Sequence, residues 1–153
     1  SVDTSMGLTA LDGLPMGTRC GALDPGVVTY MIRALGMDVH EVERRLYEES
    51  GLKGLSGISN DVATLLASGD ADAAFALDHF AFRAAQHVAA MAVSIGGIDG
   101  LVFTGGIGEH ARPVREAIVR RLAFLAPFET LVVPANEERM MAIHACRLLA
   151  ADA

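Results

Sequence analysis

Apolar and polar positions along the chain sort into short segments of helical or strand-like period, punctuated by glycine and proline. Ser1 to Gly21 is rich in Gly and Thr and lacks a helical period, so it reads as a short strand followed by a functional loop. Asp24-Pro25 then opens a helix, with Asp24 as cap and Pro25 in the first helical position. Val28, Met31, Ile32 and Leu35 recur on one face of it, and Gly36 ends it. Asp38 with Glu41 forms a capping box and predicts a second helix, carrying Val42 and Leu46 and stopping at Gly51. Gly54 to Asn60 reads as a loop, with Ser59 or Asn60 capping a short helix through Leu66. Asp72 opens a long helix to about Ile95, closed by Gly96-Gly97, with Phe75, Phe82, Val88 and Met91 on its apolar side.

The period then changes. Leu101-Val102-Phe103-Thr104 is an apolar run bounded by glycines, which predicts a short buried strand. Gly105-Gly106-Ile107-Gly108 follows, then a helix from about Pro113 to Phe124 and a second strand over Thr130–Val133. Pro134-Ala135 turns the chain, and Asn136 caps a last helix through Leu149. Alternation of helix and strand places the chain in the α/β class. No repeat, low-complexity tract or long linker interrupts it, so residues 1–153 read as one domain.

Composition narrows the classes. Hydrophobic residues make up 52% of the 153 positions and charged residues 20%, enough to build a core. Aromatics are only 5% and Trp is absent, so small and aliphatic side chains must fill it. A net charge of −7 gives no general attraction to nucleic acid or to anionic membranes. No stretch has the length and purity of a membrane span; Ala84–Ile95 is too short and contains Gln86 and His87. Cys20 and Cys146 lie far apart and near no zinc-type cluster, and read as reduced thiols of a cytoplasmic protein. The chain begins Ser1-Val2-Asp3-Thr4-Ser5, like the middle of a strand or loop, and the expectation is a fragment.

Three segments carry candidate chemistry. In Leu101 to His110 a strand runs through a glycine turn into a helix. Glycines admit close backbone approach, and the free N–H groups of a helix start attract an anion. The segment therefore suits a nucleotide or phosphate, or it is a tight connection with no ligand. Gly106-Ile107-Gly108-Glu109-His110-Ala111 formally matches a dinucleotide fingerprint, but the following strand ends in Pro134 and Ala135 rather than the required acid. That reading is discounted. Arg19, in a glycine-rich and largely uncharged loop, is either a surface ion-pair partner or an anion ligand, since its planar fork matches phosphate and carboxylate oxygens. Glu137 and Glu138 follow Asn136 at a helix start, where carboxylates commonly complement the dipole. The five histidines show no ligand spacing and no obvious base partner.

Taken together these segments resemble the acetate kinase (acetokinase) family. The resemblance rests on Asp3-Thr4-Ser5-Met6-Gly7-Leu8-Thr9 with Gly13 to Arg19 and Asp24-Pro25, on Ser56-Gly57-Ile58-Ser59-Asn60-Asp61, on Phe103 to Glu109, and on Pro134 to Glu138, in that order. It implies part of an actin/Hsp70/sugar-kinase (ribonuclease H-like) fold, and reversible phosphoryl transfer from ATP to acetate with Mg2+. It implies that Arg19 stabilises the transferring phosphoryl group, that Asp61 lies at the adenosine side, that Gly106, Ile107, Gly108 and Glu109 line the nucleotide cleft, and that Glu137 helps position magnesium. It further implies a homodimer formed through this domain, a short-chain carboxylate as substrate, ATP/ADP as the nucleotide, and an N-terminal domain with a phosphate loop upstream of Ser1. By itself the chain is then expected to be inactive; the alternatives are a non-catalytic module that binds nucleotide or dimerises, or a piece of a propionate or butyrate kinase. Three positions depart from the family pattern: Ala10 stands for a usual Pro, Ala63 for a usual Arg, and His110 for a usual Asn.

Overall fold

The computed structural model describes residues 1–151. Two parallel strands, β1 (Gly100–Phe103) and β2 (Glu129–Val132), pair in register from Gly100 opposite Glu129 to Phe103 opposite Val132. Parallel strands require a crossover, supplied here by α6 (Gly105–His110), α7 (Arg112–Arg121) and a single 3₁₀ turn (Ala123–Leu125). Five helices precede the sheet: α1 (Pro25–Arg33), α2 (Val39–Glu48), α3 (Gly51–Ser56), α4 (Val62–Ser68) and α5 (Ala71–Ile95). One, α8 (Glu137–Ala151), follows it.

The core gathers around α5, which packs against α3, α4 and α7. Its buried face is alanine: Ala73, Ala76, Ala81, Ala84, Ala85 and Ala92. Small side chains let the neighbouring helices approach closely, and Leu52 of α3, Leu65 of α4 and Val114 and Ile118 of α7, with Leu122 just beyond, close over them. The expected apolar side is therefore corrected in part: Val88 does pack against this core. Phe75 and Phe82, two turns apart, stay 57% and 46% exposed on the other face of α5. Side-chain size misdirected the reading, because packing here selects the face that allows approach.

Other expectations hold or shift for local reasons. Asp24 accepts from Gly26 N–H at the start of α1, and the Asp38–Glu41 capping box of α2 is formed in both directions. The expected face of α1 is only half covered: Val28 and Met31 are half-buried, while Ile32 and, just past the helix, Leu35 are exposed. No strand forms over residues 1–21; Ser1 and Thr4 bond only to Asp3, and no strand lies alongside to pair with them. The expected buried strand, β1, is half exposed, with Val102 open to solvent. The caps of α4 and α5 are Asp61 and Asp70, each one or two residues from the position expected, and Asp72 falls in the first turn of α5.

The expected loop at Gly54–Asn60 is instead helical up to Ser56, and its cause lies far away in sequence. The first N–H groups of a helix need outside partners. At α3 they come from the Arg19 loop: Ser50, Leu52 and Lys53 N–H donate to the carbonyls of Thr18, Met16 and Gly17, each at 2.9 Å. Gly51 takes φ +61°, and a Cβ there would stand 2.1 Å from Met16 O, so only glycine fits this junction.

Candidate functional site

The strand-to-helix turn after β1 is the hub. Gly105, at φ +70°, makes the turn, and α6 begins with Thr104 as a cap that makes no side-chain bond. Gly108 lies against the β1 backbone, where a Cβ would come within 3.3 Å of Phe103 C. The short helix is thereby pressed onto the strand end and presents different residues to two clefts.

The first cleft, about 350 Å³, lies between α4 and α6. Asp61, Ala63 and Leu66 line one side and Gly106, Ile107 and His110 the other. Asn60, Val62 and Ala111 complete it. Its walls are mostly apolar with a polar rim, the pattern of a small-ligand cleft. Asp61 is exposed. Hydrogen bonds from the Thr64 hydroxyl and then the Thr64 backbone hold its carboxyl below the usual carboxylate range. The carboxylate is therefore ionised at neutral pH.

The second cleft, about 440 Å³, lies between α6 and the start of α8. Gly105, Gly106 and Glu109 face Ala135, Asn136, Glu137 and Glu138 across it. The Ala135 N–H donates to Glu109 Oε1 at 2.9 Å, and the Asn136 side chain caps α8 by accepting from Arg139 N–H at 3.0 Å. Among the described residues no group of three or more His, Cys, Asp or Glu side chains is gathered to hold a metal. Hard carboxylate oxygens facing an open cleft nonetheless fit magnesium, which keeps several waters and takes one or two carboxylates beside substrate phosphates.

Of the residues singled out above, Asp61, Gly106 and Ile107 meet in the first cleft, and Gly106, Glu109 and Glu137 in the second. Gly108 turns inward to β1. Arg19 lines neither. Among the described residues its guanidinium has no carboxylate within ion-pair distance; Nη1 lies 3.6 Å from Met16 Sδ. Its loop approaches the first cleft at Gly17, whose α-carbon backs onto Asn60. Sequence reasoning passed over Asn60 and Leu66 as wall residues. It also passed over Arg115, which donates to the carbonyls of Gly108 and Glu109. The signal for Arg115 was an arginine one turn into the helix that follows the glycine turn.

The structural neighbours place this arrangement in part of a fold of the actin/Hsp70 type. The chain superposes on the crystal structure of Porphyromonas gingivalis acetate kinase with a TM-score of 0.86 and 32% identity, covering 95% of this chain and 43% of that one. It also superposes on a propionate kinase from Francisella tularensis subsp. tularensis SCHU S4, with a TM-score of 0.85 and 40% identity, covering 92% and 42%. The family model described as "Acetokinase family" matches residues 1–128, and the chain belongs to that family. Acetate kinase from Rhodopseudomonas palustris (strain TIE-1) is 53% identical over 125 residues, covering 82% of this chain and 31% of that protein. Acetate kinase from Methylocella silvestris is 42% identical over 169 residues, covering 97% and 42%. The chain thus spans between a third and a half of the length of most of these relatives.

Proposed function

We propose that this chain is the nucleotide-side portion of an ATP-dependent acetate kinase. The observation that carries the reading is the position of α6, which lends Gly106 to both clefts and stands between Asp61 and Glu137. One helix start can then face the phosphates while the apolar cleft takes the adenosine and the carboxylates of Glu109 and Glu137 face the metal side.

In the reaction an acetate oxygen attacks the γ-phosphorus of ATP, and the bond from that phosphorus to the β-bridging oxygen breaks, giving acetyl phosphate and ADP. Two anions must meet in line, so positioning and charge stabilisation carry the catalysis. Glu137 and Glu109, which line the second cleft, would hold magnesium, which would offset phosphate charge. Arg19, which forms no ion pair among the described residues, offers its guanidinium to the transferring phosphoryl group from a loop anchored to α3. Asp61 and Ile107 border the adenosine. The remaining catalytic groups belong to a longer protein that contains this chain.

The exposed apolar side chains of Ile32 on α1 and Leu35 just past it support a homodimer formed through this domain. The unpaired thiols of Cys20 and Cys146 support a cytoplasmic setting. The Francisella propionate kinase, similar over nearly all of this chain, supports a short-chain carboxylate as the acceptor class, with propionate beside acetate. The test is a coupled ADP-release assay on the full-length protein and on residues 1–153 alone. Acetate-dependent turnover is expected only from the full-length protein. No turnover by the full-length protein, or turnover by residues 1–153 within tenfold of it, overturns the reading.

A further inference from the structure

Arg115 lies on α7, outside both clefts, yet its Nη1 donates to Gly108 O at 3.0 Å and to Glu109 O at 2.8 Å. These are carbonyls in the last turn of α6, which a helix cannot satisfy internally. α6 has six residues and no side-chain cap at Thr104, so it has little stability of its own. Among the described residues its outside ties include the packing of Ile107 on the core, the close approach of Gly108 to Phe103, the Ala135 N–H on the Glu109 carboxylate, and the Arg115 guanidinium. Only the last is a cation at the negative end of the helix, where charge and hydrogen bonding act together.

We propose that Arg115 is a positioning residue: by gripping the C-terminal carbonyls of α6 it sets Gly106 and Ile107 in one cleft and Glu109 in the other. It touches neither cleft's proposed ligand and acts through α6. The functional half of the claim rests on the nucleotide reading above; the structural half does not.

The test compares Arg115→Ala and Arg115→Lys with the unsubstituted full-length protein. Losing a charge-assisted pair of hydrogen bonds is expected to raise KM for ATP by about tenfold or more, with KM for acetate within about twofold. Arg115→Lys, which keeps a cation in reach, should recover part of the loss, as should millimolar guanidinium added to Arg115→Ala. Hydrogen exchange should quicken over residues 105–110 and stay unchanged in α5. Unchanged exchange over 105–110 overturns the proposal. So does quickened exchange with an unaltered KM for ATP, or an equal rise of both KM values. Should Arg115→Ala fail to fold, Arg115→Lys alone decides by the same readouts. If the unsubstituted protein lacks kinase activity, the functional reading fails, and the exchange result still judges the grip on α6.

Discussion

The Asp61 carboxylate takes two hydrogen bonds from a single residue: Oδ2 lies 2.8 Å from the Thr64 backbone nitrogen and 2.7 Å from the Thr64 hydroxyl. Asp61 is therefore the cap of α4 as well as a wall of the first cleft. The two roles predict different mutant behaviour. Asp61→Ala should lower the urea midpoint of the chain, since the cap is lost, whereas Asp61→Asn should lower it less, because an amide oxygen still accepts from Thr64 N–H. A larger drop for Asn than for Ala would contradict the capping account.

The same pair gives a pH dependence. The folded carboxyl titrates below its unfolded value of about 3.9. Stability from this group is then fully present above that pH and is lost as pH falls through the lower folded value. Thr64→Val removes the hydroxyl donor, the largest cause of the shift, and should move the Asp61 titration toward its ordinary value. Side-chain carboxyl NMR during an acid titration measures this directly; a midpoint that stays put would assign the shift to another group.

Gly51 joins the Arg19 loop to α3, with φ +61° and no space for a Cβ beside Met16 O. Gly51→Ala adds a left-handed penalty of about 1–2 kcal/mol to a backbone clash. The expected loss is at least about 2 kcal/mol of chain stability, read by urea unfolding followed by circular dichroism. A loss under half that size would mean that the loop moves aside freely.

Arg19→Ala in the full-length protein tests the phosphoryl role. An arginine that acts on the transition state is worth about 10³–10⁵ in rate, or roughly 4–7 kcal/mol. The expected result is a fall in kcat of that order with a much smaller change in KM for ATP. A raised KM at constant kcat would make Arg19 a ground-state binding residue.

The two thiols should differ in reactivity. Burial pushes the Cys20 thiol up from its ordinary range, while Cys146 is exposed on α8. Thiolate is the reactive form, so iodoacetamide at neutral pH should label Cys146 well before Cys20 in a time course followed by mass spectrometry. Equal rates would show that the Cys20 environment opens in solution.

What the sequence by itself determined is what short-range chemistry controls. Asp24 before Pro25, the Asp38–Glu41 box and Gly96 after Ile95 mark helix ends through bonds that span a few residues. The strand and the glycine turn after it were legible for the same reason, although residues 105–110 form a short helix of their own ahead of the expected one, which begins at Arg112; so were the clustered segments that carry the family resemblance. The tertiary structure alone decided which face of α5 is inside, because Ala73, Ala81 and Ala85 win burial by admitting Leu52 and Ile118, which are distant in sequence. It alone made Gly51–Ser56 a helix, since the carbonyls that cap it come from Met16, Gly17 and Thr18. It set Asp61 opposite Ile107, and Glu109 opposite Glu137, across two clefts. Each of these depends on groups separated by many residues, and their meeting is fixed by packing around α5 and by the parallel pairing of β1 with β2, which no local pattern encodes.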